Sequence, residues 1–323
     1  MNPAPWIGTL VALVLAVAAP AQDSSSSAPT RQSRDDAWWT GPMLAPNAST
    51  LPRGHVLVEP YLFDVISQGT WDYHGEKHST PHSNTYGSLT YINYGLTNRL
   101  TVGVIPTAFY TTVTGGPSSS GPELGDLTVQ AQFGLSRFRE GRWLPTTSVV
   151  VQESLPTGEY DHLTRATDGV GAGTYTTTLG FYSQTFFWMP NGRILRARLN
   201  FTQAFSRGVD VRDASVYGTP PGFVGHASPG PAFSVDGAAE YSITRRWVAA
   251  MDLVYRHGWN TQVSNAGGTI TVNFGSNDLI AVAPAVEYNF SSKVGLLLGT
   301  RIYTKGWNTG ASITPAVAIN FVH

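Results

Sequence analysis

The stretch that decides the fold is Ala311–Phe321, which reads ASITPAVAINF, and its residues alternate in character. The odd-numbered positions carry Ala, Ile, Pro, Val, Ile and Phe, whereas the even-numbered positions carry Ser, Thr, Ala, Ala and Asn. Because successive side chains of a β-strand point to opposite faces, this alternation predicts a strand with one apolar face and one small or polar face. Similar alternation in residues 193–206 and 277–289 indicates an all-β protein.

The connections between the strand candidates alternate between tight turns and long loops rich in Gly, Ser, Pro and Asn. Outer-membrane barrels sort their connections in this way, with short turns at the periplasmic end and long loops at the outer end. We therefore predict an all-β, transmembrane, antiparallel, up-and-down β-barrel of about 12 strands. The strand candidates are Arg53–Ile66, Thr85–Gly95, Arg99–Thr112, Glu123–Leu135, Trp143–Leu155, Gly173–Trp188, Arg193–Ser206, Phe233–Ile243, Arg246–His257, Asn277–Asn289, Lys293–Thr304 and Ala311–Val322.

Composition agrees with a surface that faces lipid. Charged residues make up 13% of the 323 residues, about half the roughly 25% of an average soluble protein, and aromatic residues make up 11%. Tyr and Trp are the residues that gather at membrane interfaces. The net charge of -1 provides no basic field for nucleic acid, and the absence of Cys excludes disulfides and cysteine metal sites.

The N-terminus predicts a secretory signal peptide over residues 1–21. Its apolar run, Ile7 to Ala19, is too short for a membrane-spanning helix of ~20 residues. The triplet Ala19-Pro20-Ala21 resembles a signal-peptidase site, so we expect cleavage after Ala21. The segment before the run departs from the usual pattern because it has no Lys or Arg.

We interpret residues 22–52 as a periplasmic N-terminal linker and residues 53–323 as the barrel. The linker is rich in Ser, Pro and Asn, and its apolar anchor is Trp38-Trp39. This anchor either belongs to a partly ordered lead-in to the first strand, which we favour, or plugs the barrel mouth, or lies at the membrane edge.

The polar side of each strand would face the lumen, which then holds charges of both signs. An isolated charge in a narrow lumen is costly, so we expect pairing across adjacent strands, for example of Arg198 with Glu240. The charges could form a polar filter in a pore or an ion-pair lattice that closes the barrel. The lumen-lining candidates are Glu59, Asp126, Glu153, Arg196, Arg198, Asp236, Glu240, Asp252, Arg256, Glu287 and Arg301.

One loop contains a weak candidate metal site. His74, His78 and His82 have carboxylates between them, and imidazoles with carboxylates can bind Zn or Cu. Gly75 and Pro81 argue against a helix that would present these ligands together. We therefore expect a solvated polar loop, with no metal and no other cofactor.

Catalytic motifs are weak. His162 lies beside Asp161 and His257 follows Arg256, but neither has a nucleophile in a local motif such as G-x-S-x-G. We predict that the protein is not an enzyme and keep an outer-membrane hydrolase as the least favoured alternative. The apolar residues of loop 207–232 could fold inward or contact a partner, which leaves a structural or interaction barrel with a closed lumen as a further alternative.

Residues 94–106, YGLTNRLTVGVIP, contain the turn Gly-Leu-Thr-Asn-Arg followed by an alternating strand and Pro. Together with Gly125-Asp126-Leu127 and Leu155-Pro156-Thr157-Gly158, they resemble the outer-membrane barrels of the meta-pathway of phenol degradation (MetA-like), over roughly the whole region after Arg53. This resemblance implies a channel or transporter in the cell outer membrane of a Gram-negative bacterium, which passes small molecules by passive diffusion. Hydrophobic or aromatic compounds are the substrate class that it implies. The implied partners are the lipid bilayer, lipopolysaccharide and the barrel assembly machinery.

Overall fold

The computed structural model describes residues 30–323, so the predicted signal peptide and the first residues of the predicted linker lie outside the described residues. Within them, no helix is long and apolar enough to cross a membrane. Two short 3₁₀ turns cover Arg34–Asp36 and Ala166–Asp168. The strands of this part of the chain are β1 (Val56–Trp71), β2 (Lys77–His78), β3 (Ser83–Thr97), β4 (Leu100–Ile105), β5 (Thr107–Val113), β6 (Glu123–Leu124), β7 (Leu127–Ser136), β8 (Thr146–Leu155), β9 (Thr176–Trp188), β10 (Ile194–Ser206), β11 (Val209–Arg212), β12 (Val224–Ser228), β13 (Ala232–Ser242), β14 (Trp247–Gly258), β15 (Gln262–Asn265), β16 (Ile270–Asn273), β17 (Asn277–Asn289), β18 (Val294–Trp307) and β19 (Thr309–Val322).

The main sheet closes on itself because β1 pairs with strands on both of its sides. On one side Leu57 faces Val322 of β19, and on the other it faces Asn93 of β3, both in antiparallel register. The remaining strands follow the chain order round the ring, by way of β4 and β5, β7, β8, β9, β10, β13, β14, β17 and β18. A closed barrel leaves no unpaired sheet edge, which is the condition for a sheet to cross lipid.

The ring has twelve positions, as the sequence predicts, but two of the predicted strands are interrupted. The third predicted strand is divided into β4 and β5 at Pro106, and the fourth into β6 and β7 at residues 125–126. Proline has no amide hydrogen to donate to the neighbouring strand, so it interrupts the ladder. Pro60 and Pro315 similarly lie where the pairing of β1 with β19 is interrupted. The first interruption is between Val58 and Tyr61, and the second, at Pro315, is between Phe63 and Ile66.

The barrel turns the usual pattern of burial inside out. Leu199, Leu253 and Leu298, which point outward, are 45%, 50% and 54% exposed. By contrast, the side chains of Glu240 and Asp252, on neighbouring strands, are fully buried. Such a surface is unfavourable in water and stable in lipid, so the chain is a transmembrane β-barrel.

An aromatic cluster lies on the barrel near its tight turns. The Trp247 and Tyr288 rings are 4.7 Å apart between centroids, and the Tyr288 and Phe290 rings are 4.9 Å apart. Trp247 and Phe290 are largely exposed. Aromatic residues in such positions mark the interface between hydrocarbon and headgroups.

The two ends of the barrel differ in construction. The end with short connections, called here the tight-turn end, also holds the start of β1 and the end of β19. At the long-loop end, β11, β12, β15 and β16 form a separate four-stranded sheet. Val211, Tyr217, Ala227 and Val263 form a small buried cluster there. The apolar residues of loop 207–232 therefore pack largely among the loops themselves.

Candidate functional site

The centre of the lumen contains a buried ion-pair lattice. The register of β10 and β13 places Arg196 opposite Glu240, and the side-chain alternation of β10 turns Arg198 to the same face. Arg196 Nε donates a hydrogen bond of 2.6 Å to Glu240 Oε2, and Arg198 Nε lies 3.0 Å from the same oxygen. The pairing of Arg198 with Glu240 expected from the sequence is thus present. One buried carboxylate thus contacts two guanidinium groups, which share its negative charge.

Residues 37–51 lie among these inward-facing side chains and form what we call the N-terminal plug. Thr40 N donates to Glu287 Oε2 of β17 at 2.6 Å. Met43 N and Ala45 N donate to the two carboxylate oxygens of Asp252 of β14, at 3.0 and 2.9 Å. Two of the predicted lumen carboxylates therefore bind backbone amides of the chain itself.

The carbonyl and hydroxyl oxygens of the plug accept hydrogen bonds from side chains of β7, β9 and β10. Arg198 Nη1 donates to Ala45 O at 2.7 Å, and Asn200 Nδ2 donates to Pro46 O at 2.9 Å. Gln132 Nε2 of β7 donates to Asn47 O at 2.8 Å, and Gln184 Nε2 of β9 donates to Ser49 Oγ at 3.0 Å. Irregular backbone at membrane depth must find such partners inside the protein, and the polar lumen supplies them.

Aromatic residues fix the plug near the tight-turn end. The Arg196 guanidinium lies 4.6 Å from the Trp39 ring centroid, and the Arg245 guanidinium lies 4.4 Å from the Trp38 ring centroid. Trp38 N also donates to Arg245 O at 3.1 Å. Of the interpretations left open for Trp38-Trp39, the structure favours the plug over the lead-in. The sequence offered one indication, namely two tryptophans in an otherwise polar segment.

Beside the plug, the lumen keeps two small cavities of about 130 and 140 Å³. The second, which we call the aromatic pocket, lies farther from the tight turns than Glu240 does, since Phe63 and Leu89 are near the middle of β1 and β3. The rings of Tyr61 and Tyr91 meet edge to face with 6.1 Å between centroids. The pocket is lined by Met43, Leu44, Tyr61, Phe63, Leu89, Tyr91, Arg301, Thr314 and Ala316.

The other predicted lumen residues are spread along the barrel. Glu59 is half-buried and lies within 3.5 Å of the Tyr61 hydroxyl. Asp126 accepts hydrogen bonds from Gly158 N and Ala172 N, so it ties the interrupted fourth strand to a long loop.

Four more of these residues do not join the lattice around Glu240. Glu153 accepts from Thr177 Oγ1 at 2.6 Å, and Arg301 Nη2 donates to Thr314 Oγ1 at 3.4 Å. Asp236 is half-buried, and Arg256 is exposed near the long-loop end of β14.

The loop after β1 brings one of the three candidate metal-binding histidines, His78, close to two carboxylates. Among residues 30–323, Asp72, Glu76 and His78 form the one group with ligand atoms close enough to hold a metal ion, and His74 and His82 lie outside it. Asp72 Oδ2 lies 2.9 Å from His78 Nε2, while its Oδ1 accepts from two backbone amides. The bond from His78, with those amides, lowers the pKa of Asp72 to about 2. These contacts organise the loop without any ion.

The histidines weighed as catalytic residues pair with aspartates. His162 Nδ1 lies 3.1 Å from Asp161 Oδ1, and His257 Nδ1 lies 2.8 Å from Asp278 Oδ1. Within the described part of the chain, no histidine nitrogen is hydrogen-bonded to a hydroxyl group. Within residues 30–323 these contacts join histidine to a carboxylate and not to a serine or threonine hydroxyl, which is the pairing of a Ser/His-type site.

The fold and the occupied lumen define a class: a twelve-stranded transmembrane β-barrel that carries its own N-terminal segment inside. The chain belongs to the family described as "Putative MetA-pathway of phenol degradation", which matches residues 74–321. The resemblance carried by residues 94–106 is thereby confirmed. No curated protein matches the chain.

Solved structures resemble the chain to different degrees. An outer membrane channel from Pseudomonas putida F1 superposes with a TM-score of 0.69 at 16% identity, over 87% of this chain and 100% of that chain. The transport unit of the autotransporter AIDA-I from Escherichia coli has a TM-score of 0.49 at 8% identity, over 86% of this chain and 93% of that chain. A mutant of the TodX monoaromatic hydrocarbon channel has a TM-score of 0.46 at 13% identity, over 91% of this chain and 97% of that chain. The Pseudomonas channel has the same fold as this chain.

Proposed function

We propose that the protein is an outer-membrane channel that passes small molecules by passive diffusion, with small aromatic compounds as the preferred substrates. The observation that carries this proposal is the aromatic pocket. A polar lattice lines much of the lumen, yet here Phe63, Leu89 and Leu44 meet around a space of about 140 Å³. An apolar cavity of about 150 Å³ stays dry and binds benzene, so this pocket suits one aromatic ring.

The rim of the pocket adds a preference for oxygen-bearing rings. Arg301 borders the pocket, and its buried Nε has no hydrogen-bond partner among the described residues. A buried donor without an acceptor is costly, and the hydroxyl of a phenol would supply the acceptor. The family description, which refers to phenol degradation, agrees with this substrate class.

The plug controls passage in this proposal. It fills the lumen on the tight-turn side of the aromatic pocket, so a substrate leaves the pocket when the plug shifts. The lumen residues that bind the plug, above all Asp252, Glu287 and Arg198, then set how readily it moves rather than filtering ions directly.

The proposed cellular placement rests on the fold and on the sequence of the N-terminus. In the proposed arrangement, residues 1–21 are a signal peptide cleaved after Ala21, the tight-turn end faces the periplasm and the long loops face outward. The outer face then contacts the lipid bilayer and lipopolysaccharide, and the barrel assembly machinery inserts the chain.

The test is uptake of radiolabelled phenol by cells with an intact outer membrane that express Leu89→Glu or the volume-conserving control Leu89→Met. We expect Leu89→Glu to reduce the initial rate to that of cells without the protein, because a carboxylate in the aromatic pocket disfavours an apolar ring. Leu89→Met should keep most of the rate. Equal rates for wild type and Leu89→Glu, with both barrels folded by their heat-dependent mobility in SDS gels, would contradict the proposal.

The occupied lumen also favours a second candidate, a closed structural or interaction barrel. The same cells distinguish the two functions. If wild-type cells take up phenol no faster than cells without the protein, the closed barrel is the better description.

A further inference from the structure

A large cavity opens at the tight-turn end, away from the aromatic pocket. It has a volume of about 630 Å³, which lies within the ~300–1,000 Å³ of small-molecule sites. Its walls come from the β3–β4 turn, the β7–β8 connection, the end of β9 and the N-terminal segment. We call it the arginine vestibule, defined by Arg34, Arg99, Arg137, Arg139, Phe138 and Phe186.

The charge of the vestibule is of one sign. Four guanidinium groups line it, and none of its lining residues is acidic. Among residues 30–323, no carboxylate lies within ion-pair distance of these arginines, and the nearby Glu140 instead pairs with Arg31 at 2.7 Å. Four positive charges around one cavity create a positive potential inside it. The vestibule therefore attracts an anion, which also reduces the repulsion between the arginines.

The vestibule also offers an apolar wall. The rings of Phe138 and Phe186 pack edge to face with 5.2 Å between centroids. The Arg34 guanidinium lies 5.5 Å from both centroids, so charge and aromatic surface meet at one place. A planar guanidinium matches a carboxylate in two parallel hydrogen bonds, while a pair of rings accepts a third ring.

We propose that the arginine vestibule binds a small aromatic carboxylate, a molecule with one ring and one carboxyl group. The carboxylate contacts Arg99 and Arg139, whose side chains have no hydrogen-bond partner among the described residues, and the ring lies against Phe138 and Phe186. This site goes beyond the proposed channel, since it takes an anion from the tight-turn side. Its occupancy does not require that anything crosses the lumen.

The ligand also contacts the plug. Ala48, Ser49 and Thr50 form part of the vestibule wall, and Ser49 borders the polar lumen cavity as well. These residues separate the vestibule from the lumen, so a bound carboxylate sits directly behind the plug. A ligand that binds one position of the plug more tightly stabilises that position.

The test is equilibrium dialysis of radiolabelled benzoate against the full-length protein in a nonionic detergent at low ionic strength. We expect saturable binding at one site per chain. The double variant Arg99→Gln, Arg139→Gln should weaken binding at least about tenfold, the loss expected when a charge-assisted hydrogen bond is removed. The matched control is Arg142→Gln, which removes an arginine from the same connection but outside the vestibule wall and should leave binding unchanged.

Competing probes separate the parts of the site. Benzamide lacks the charge and acetate lacks the ring, so both should displace benzoate at least about tenfold less well. Absence of saturable binding would overturn the proposal, as would equal loss in Arg142→Gln or displacement by inorganic phosphate as effective as by benzoate itself. Heat-dependent mobility in SDS gels confirms that each variant is a folded barrel. Phenol uptake is measured separately, so failure of this site and failure of the proposed channel are distinguishable.

Discussion

The two halves of the lumen use their inward-facing side chains differently. In the tight-turn half, Glu240, Asp252 and Glu287 are buried in a network with arginines and with the backbone of the plug. Farther from the tight turns, Phe63 and Leu89 surround an apolar pocket instead. Charge in a barrel lumen is therefore not evidence of a water-filled path, because here it binds peptide groups.

The polar part and the apolar part of the lumen therefore have different roles. The polar half holds the plug, since the buried amides and carbonyls of an irregular segment need partners. The apolar half offers a place for a ring because it presents few competing hydrogen bonds. The following predictions separate these roles.

The largest effect is expected from deleting residues 37–49, which removes most of the plug. Single-channel conductance in planar bilayers should rise several-fold, because water and ions fill the vacated lumen. A Gly-Ser segment of the same length, which lacks the side-chain anchors, controls for chain length and should give frequent openings. Unchanged conductance in both variants, with folded barrels, would mean that the plug does not block the lumen.

A smaller but still large effect is expected from Glu240→Ala. This change leaves Arg196 and Arg198 as buried, uncompensated charges and should lower the free energy of unfolding by about 3–5 kcal/mol. Denaturant unfolding in lipid vesicles, followed by tryptophan fluorescence, measures it. The control Glu153→Ala removes a half-buried carboxylate with one side-chain hydrogen bond and should cost about 1 kcal/mol. Equal costs would show that the lattice does not stabilise the barrel.

The smallest effect is expected at the long loops, from Asp168→Asn. Asp168 accepts hydrogen bonds from Ser120 N and Ser120 Oγ, at 2.6 and 2.8 Å, and these bonds lower the pKa of its carboxyl group. A lowered pKa stabilises the folded loops above the unfolded value of about 3.9, and the contribution is lost as pH falls through the folded pKa.

Protease cleavage of these loops should therefore increase in wild type below about pH 4, and Asp168→Asn should show the increase already at neutral pH, with a cost of about 1 kcal/mol. Asp210→Asn, at an exposed position of another loop, is the comparison. Identical pH profiles for wild type and Asp168→Asn would rule out this anchor.

The barrel itself could be predicted because its information lies in side-chain alternation. Residues 193–206 and 277–289 show it clearly, and their strands β10 and β17 have the predicted extent within one residue. The loop sheet was missed because β11, β12, β15 and β16 are only four or five residues long, too short for alternation to stand out within loops.

The plug could not be predicted for a different reason. Its contacts are made by backbone amides and carbonyls, such as Met43 N and Ala45 O, which have no sequence signature. The sequence analysis expected Asp252 and Glu287 to face the lumen, but it did not reveal that backbone amides would be their hydrogen-bond partners rather than water or an ion. The one available signal was the pair of tryptophans, Trp38-Trp39, in an otherwise polar segment.

The position of the plug can be tested most directly by a disulfide, since the chain contains no cysteine. A Cβ placed on Gly295 of β18 would lie 3.1 Å from the Cβ of Thr40, close to the ~3.5–4.5 Å of natural disulfides. Thr40→Cys with Gly295→Cys should therefore cross-link under mild oxidation in the folded, membrane-inserted protein, with a shift on non-reducing gels that reductant reverses. The control pair, Thr40→Cys with Leu298→Cys, places the second thiol on the lipid-facing side and should stay reduced. Absence of the cross-link in the first pair, or equal cross-linking in both, would contradict a plug inside the lumen.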